Sequence, residues 1–140
     1  MKTIPVTCAI IFHQGKVLVA QRSLNMDLPG KWEFPGGKIE ESEDPKVCLS
    51  REIKEELSIE IEIFETLKPS EFTYPTKTIR LIPFVATWKS GEIDLLEHEQ
   101  IVWLGEKELF YVDWAEADVP IVHDLQEKWV KLVPQIKTAT

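Results

Sequence analysis

The sequence predicts an α/β domain, on three observations. Short runs rich in valine, isoleucine and aromatic residues recur along the chain, as strands do. They are interrupted by only two segments, 45–57 and 120–130, in which apolar residues return at helical spacing. The 140 residues, 44% of them hydrophobic, match the size of one domain spanning 1–140 with a sizeable core, and no repeat, linker or low-complexity stretch divides them.

Each element has its own local signal. Residues 6–12 and 16–21 are apolar, β-rich runs joined through His13-Gln14-Gly15, a hairpin by composition. Gly36-Gly37 reads as a turn in which the backbone takes positive φ and comes close to a ligand or metal, with a glycine carbonyl as an oxygen donor. Asp44 can cap the free amides of a helix over 45–57, and Pro45 sits where a missing N–H costs nothing. Isoleucines 59, 61 and 63 alternate with Glu60 and Glu62, which suits a strand over 59–67 with one solvated face. Two more strands follow at 78–88 and 100–104. The closing helix, 120–130, carries Ile121, Val122, Leu125 and Trp129 on one side, with Asp118 as its cap.

Charge and composition narrow the function. A net charge of −8 argues against duplex nucleic acid as the main partner, because affinity there comes from lysine and arginine displacing counterions. A single nucleotide bridged by metal ions is compatible with it. No run approaches the ~18 apolar residues of a membrane span, and the N-terminus lacks a signal-peptide stretch, so a cytoplasmic location is expected, as monomer or homodimer. Cys8 and Cys48 read as small buried hydrophobes without chemistry.

The first helix is the informative segment. Leu49, Ile53 and Leu57 form an apolar stripe, while Glu52, Glu55 and Glu56 share an arc of roughly 100° beside it. Like charges at this spacing repel, and the last turn of a helix disfavours anions by about 0.3–1 kcal/mol each. A solvated acidic face neutralised by Arg51 and Lys54 is one reading. The other is a site for Mg²⁺, with Mn²⁺ as substitute: hard cations take oxygen ligands and keep waters and substrate phosphates in their shell.

Gly37, Glu43, Arg51, Glu52, Ile53, Glu55, Glu56, Ser58 and Ile59 resemble the Nudix hydrolase pattern G-x5-E-x7-R-E-U-x-E-E-x-G-U, where U is aliphatic. The one departure is Ser58, standing where the family has a glycine that ends the helix in a left-handed conformation; serine adopts it at about 1 kcal/mol. The resemblance implies an α/β/α sandwich around a mixed β-sheet. It also implies Mg²⁺-dependent attack of water on the β-phosphorus of a nucleoside triphosphate, releasing a monophosphate and pyrophosphate. Glu52, Glu55 and Glu56 would then hold the metal, with Gly36 and Gly37 adding a backbone carbonyl ligand, Arg51 would orient the glutamates and Glu43 would hold the loop. A loop carboxylate completes such a site, and Glu97 is expected to supply it, with Glu99 in reserve; Glu52 or Glu97 would be the general base. His98 reads as a loop residue, since a hard cation prefers oxygen.

Smaller matches concern the substrate. The run Trp32 to Glu40 is similar to the motif entry of MutT-type enzymes, where Phe34 would pack against a base; its alternative is a core aromatic. Arg22 stands where that subgroup contacts substrate, or is a surface arginine. Trp114 to Pro120 resembles the subgroup's C-terminal signature, in which the Asp118 position reads the base edge, a role in competition with helix capping. As an acceptor, an ionised Asp118 favours the N4 amine of cytosine or a donor created by oxidation of a purine. CTP- or dCTP-like substrates and 8-oxo-dGTP follow as expectations. The alternatives are a hydrolase of a nucleoside diphosphate derivative such as ADP-ribose and a non-catalytic nucleotide-sensing domain.

Overall fold

The computed structural model describes residues 2–139. Its chain order is β1 (Thr3–His13), β2 (Lys16–Gln21), β3 (Trp32–Glu33), β4 (Gly36–Lys38), α1 (Pro45–Leu57), β5 (Glu60–Thr66), β6 (Ser70–Tyr74), β7 (Lys77–Ser90), β8 (Gln100–Leu104) and α2 (Val119–Ala139). The strands make one mixed sheet. β1 and β7 run parallel from Thr3↔Thr78 to Phe12↔Thr87, and β7 also pairs antiparallel with β5 and β6. β1 and β2 meet only at their hairpin, Phe12↔Val17 and His13↔Lys16, and then part. The segment 32–38 fills the opening, with β3 on β2 and β4 on β1, while β8 covers the other edge of β2.

Alternation along β1 builds the two cores. Cys8, Ile10 and Phe12 point to one face and pack with Ile121, Val122, Leu125 and Trp129 of α2. Ala9 and Ile11 point to the other and pack with Leu49, Ile53 and Leu57 of α1. A strand with both faces apolar can only lie between two layers, which gives the α/β/α sandwich.

Most predicted elements stand, and the differences have physical reasons. α2 runs on past 130 because Leu132 and Ile136 continue its apolar stripe into the core, 2% and 7% exposed, and the helix carries Pro134 inside it. Gly36 and Gly37 form strand β4 and not a positive-φ turn: the glycines with positive φ are Gly15, Gly30 and Gly91. β3 and β6 were not expected. Their short runs become strands by pairing with β2 and β7, which a local pattern does not reveal. Asp118 lies in a 3₁₀ turn, Glu116–Asp118, and its carboxylate turns away from α2 to accept from the Phe34 N–H at 3.0 Å.

The ends of α1 are well defined. Asp44 accepts from Val47 N at 3.2 Å, and Ser58 adopts φ 63°, ψ 22°, its N–H donating to Lys54 O at 3.0 Å. A serine held in the left-handed region carries a Cβ penalty that glycine lacks. Ser58→Gly is therefore expected to stabilise the protein by about 1 kcal/mol in urea unfolding with an unchanged slope; a loss of stability would contradict the strain.

Candidate active site

The open end of the sheet, where β4 pairs with Val6–Cys8 of β1, holds a cleft of about 630 Å³. It reaches from Glu52, Glu56 and Glu97 at one end to Arg22, Tyr74 and Asp118 at the other, with Gly36 and Gly37 between. Most of the residues singled out in the sequence line this one space. Glu55 does not: it is 54% exposed and points back to Arg51 at 3.3 Å.

Close approach explains the two glycines. A Cβ on Gly37 would lie 2.2 Å from the Glu52 Cδ, and one on Gly36 would lie 2.0 Å from the Thr7 carbonyl oxygen. Any side chain at 37 would displace the Glu52 carboxylate, so here glycine supplies space and not unusual dihedrals. The Gly37 carbonyl accepts from Thr7 Oγ1 at 3.1 Å, which ties β4 to β1.

Arg51 organises one half of the acids. Its Nε and Nη2 donate to the two oxygens of Glu43 at 2.9 and 3.0 Å, and its Nη1 to Glu52 at 3.0 Å and Glu55 at 3.3 Å. The paired guanidinium holds the Glu43 carboxyl down to about 2, helped by the Glu40 N–H. Glu43 thus fastens the loop before α1 while Arg51 fixes the direction of Glu52.

Glu56 has no such partner. It is 2% exposed, and its Oε1 lacks any hydrogen-bond donor among the described residues. Burial, and then the charges of Glu33, Glu97 and Glu52, push its carboxyl up to about 10. His98 lies in the loop between β7 and β8, as the sequence reading has it, but its ring is buried in this nest. Its Nε2 lies 2.8 Å from Glu33 Oε2, and its Nδ1 lies 3.7 Å from Glu56 Oε1. The sequence signal was thin: one histidine between two glutamates, whose partner Glu33 is 65 positions away.

At the far end of the cleft Arg22 donates from Nη1 to Glu33 Oε1 at 2.7 Å and from Nε to the Asp27 carbonyl. Phe34 is 3% exposed and packs against Trp114 with ring centroids 4.8 Å apart and the planes tilted by 45°, so most of its ring serves the core and only its margin borders the cleft. Asp118, 4% exposed, borders the same space. Burial and then the Glu33 charge hold its carboxyl well above the usual range, opposed by the Phe34 N–H. Tyr74 and Lys77 also line this end and were not singled out in the sequence; Lys77 reaches Asp27 at 3.2 Å.

The residues fit a hard divalent cation. Glu52, Glu56 and Glu97 bring only oxygen donors to one end of the cleft, and the partnerless Glu56 oxygen is the group a cation would satisfy. Among the described residues no three His, Cys, Asp or Glu side chains already form a cation cage. That suits Mg²⁺, which draws on water and substrate phosphate for much of its shell.

Comparison with known proteins agrees with this architecture. The model of the NUDIX domain matches residues 1–125. The CTP pyrophosphohydrolase of Escherichia coli K12 is 36% identical over 122 residues, which cover 87% of this chain and 90% of that one. The 8-oxo-dGTP diphosphatase of Buchnera aphidicola subsp. Schizaphis graminum is 30% identical over 127 residues, covering 91% and 96%. The solution structure of the E. coli ORF135 protein superposes with a TM-score of 0.80 at 33% identity, covering 94% of each chain. Nudix hydrolases generally use divalent metal ions such as Mg²⁺. With sandwich, glycine strand and acidic helix all accounted for, the chain belongs to the Nudix hydrolase family.

Proposed function

We propose that the protein hydrolyses a nucleoside or deoxynucleoside triphosphate to the monophosphate and pyrophosphate with Mg²⁺, and that its substrate is CTP- or dCTP-like or an oxidised purine nucleotide such as 8-oxo-dGTP. The observation that carries this reading is the single cleft with a carboxylate nest at one end and the buried Asp118 at the other. Names of the relatives, a CTP pyrophosphohydrolase and an 8-oxo-dGTP diphosphatase, support the same substrate class. Among the described residues no helix is long and apolar enough to cross a membrane, and action on free nucleotides favours the cytoplasm.

Glu52, Glu56 and Glu97 would hold Mg²⁺, which would supply charge neutralisation at the phosphoryl oxygens that otherwise repel a nucleophile. Arg51 keeps Glu52 aimed into the cleft through its 3.0 Å bond, so this carboxylate needs no reorientation when substrate arrives. Glu52 or Glu97 takes a proton from the attacking water. The new bond joins that oxygen to the β-phosphorus, and the bond from the β-phosphorus to the α,β-bridging oxygen breaks, leaving that oxygen on the monophosphate. Asp118 selects the base: ionised, it accepts from an exocyclic amine, and protonated, as its burial favours, it can also donate.

Several outcomes follow. In H₂¹⁸O the label should enter pyrophosphate and not the monophosphate, as read by mass spectrometry; label in the monophosphate would mean attack at the α-phosphorus. A panel of nucleotides with Mg²⁺ should give pyrophosphate from triphosphates and little cleavage of ADP-ribose, and the reverse result would favour the diphosphate-derivative hydrolase. Glu56→Gln should keep the fold, lose the rise in Tm that Mg²⁺ gives the native protein and cut kcat by about 10²–10⁴. Gly37→Ala, whose methyl meets the flexible end of Glu52 and not backbone, should lower kcat by about tenfold or more while costing little stability. Asp118→Asn should change the ratio of kcat/KM between cytidine and 8-oxoguanine nucleotides by about tenfold with the Mg²⁺ requirement intact.

A further inference from the structure

His98 is a buried imidazole that the reaction outlined above does not use. It does not border the cleft, yet it lies between two residues that do, Glu33 and Glu56. The backbone on both sides of it is pinned. Leu96 N–H donates to the Glu56 carbonyl at 3.1 Å, and Glu99 N–H donates to the Gln21 carbonyl at 2.9 Å. The loop therefore has little freedom to withdraw the ring.

Both oxygens of Glu33 are engaged, Oε1 by Arg22 at 2.7 Å and Oε2 by His98 Nε2 at 2.8 Å. A carboxylate only accepts, so Nε2 carries the hydrogen and donates. Nδ1 is left facing Glu56 Oε1 across 3.7 Å, too far for a direct hydrogen bond, and neither atom has another partner among the described residues. Arg22, Glu33 and His98 are thus joined by hydrogen bonds, and the last of them brings its free ring nitrogen to within 3.7 Å of Glu56.

We infer that His98 is a positioning residue: clamped by Glu33 and the pinned loop, its ring fixes the direction of the Glu56 carboxylate and so sets how tightly this site takes a divalent cation. The inference rests on the reading of Glu56 as a cation-holding carboxylate. Residues that orient metal-binding groups in this way change metal affinity or activity by about 10–100-fold when removed. His98 itself touches neither substrate nor reacting atoms.

The test uses the full chain and MgCl₂ as the probe. His98→Leu fills a similar volume without polar atoms, and His98→Gln can place an amide N–H where Nε2 now donates to Glu33. By calorimetry, His98→Leu is expected to bind Mg²⁺ about 10–100-fold more weakly, with kcat down by a similar factor at fixed Mg²⁺ and KM for the triphosphate within about threefold. His98→Gln is expected to recover most of the loss. In ¹⁵N spectra of the native protein, the metal-free His98 ring should be the Nε2–H tautomer, and MgCl₂ should move its Nδ1 resonance. This measurement holds even if His98→Leu fails to fold.

Variants that merely melt earlier, with native Mg²⁺ affinity, would overturn the inference, as would an Nδ1 resonance indifferent to Mg²⁺. Native protein that binds no Mg²⁺ would remove the cation reading and this inference with it. Native binding that survives His98→Leu unchanged would remove this inference alone.

Discussion

A carboxylate buried among other carboxylates is the constraint on which the rest of this structure depends. Glu56 is almost wholly removed from water, with Glu33, Glu52 and Glu97 as its electrostatic neighbours and no donor on its Oε1 among the described residues. Desolvating an unpaired carboxylate costs several kcal/mol, and such a group ordinarily protonates or moves to solvent. Here it cannot move far. The stripe Leu49, Ile53 and Leu57 is buried against the sheet on the neighbouring face of the same helix, so turning Glu56 outward would unseat the α1 core. Packing thus holds in place a cluster of acids that electrostatics alone would disperse, and burial there pushes the Glu56 carboxyl up to about 10.

The two arginines near the cleft make this tolerable by dividing the acids between them. Arg51 gathers Glu43, Glu52 and Glu55, and Arg22 takes Glu33. Each is a planar donor set that can hold more than one acceptor in fixed directions, which a lysine could not do. Glu56 is paired with neither. The glycines of β4 serve the same end by another means: they clear a path for Glu52 where any Cβ would stand in it. Charge left unpaired and volume left empty meet at one end of one cleft.

How far this could be read from sequence depends on the range of the interaction involved. α1 was legible to the residue, because its cap, its proline and its apolar stripe are all local. Strand β4 was not, because Gly36–Lys38 becomes a strand only by pairing with Val6–Cys8, and a glycine pair without its partner looks like a turn. The role of Asp118 was split between cap and base reader for a similar reason. Its partner, the Phe34 N–H, is 84 positions away, and no spacing rule reaches that far. Helical geometry put Glu55 on one arc with Glu52 and Glu56, yet Arg51 four residues earlier draws it aside, which an angular count cannot register.

The charge of the cleft as a whole leads to one further consequence. Among its lining residues are six acids, Asp27, Glu33, Glu52, Glu56, Glu97 and Asp118, and three bases, Arg22, Lys38 and Lys77. Arg22 is already spent on Glu33 and Lys77 on Asp27. Even with Glu56 and Asp118 protonated, as burial favours, the remaining acids outnumber the bases, so a triphosphate entering this space meets the same sign of charge that it carries, on a protein whose net charge is −8. Over distances beyond the ~8 Å Debye length at physiological salt this repulsion is screened, but inside the cleft it is not. Entry of the polyphosphate must therefore be coupled to uptake of cations. On the proposed Mg²⁺ reading the same coupling would give selectivity, because a polyanion lacking its metal would be turned away by the acids that would hold the metal in place.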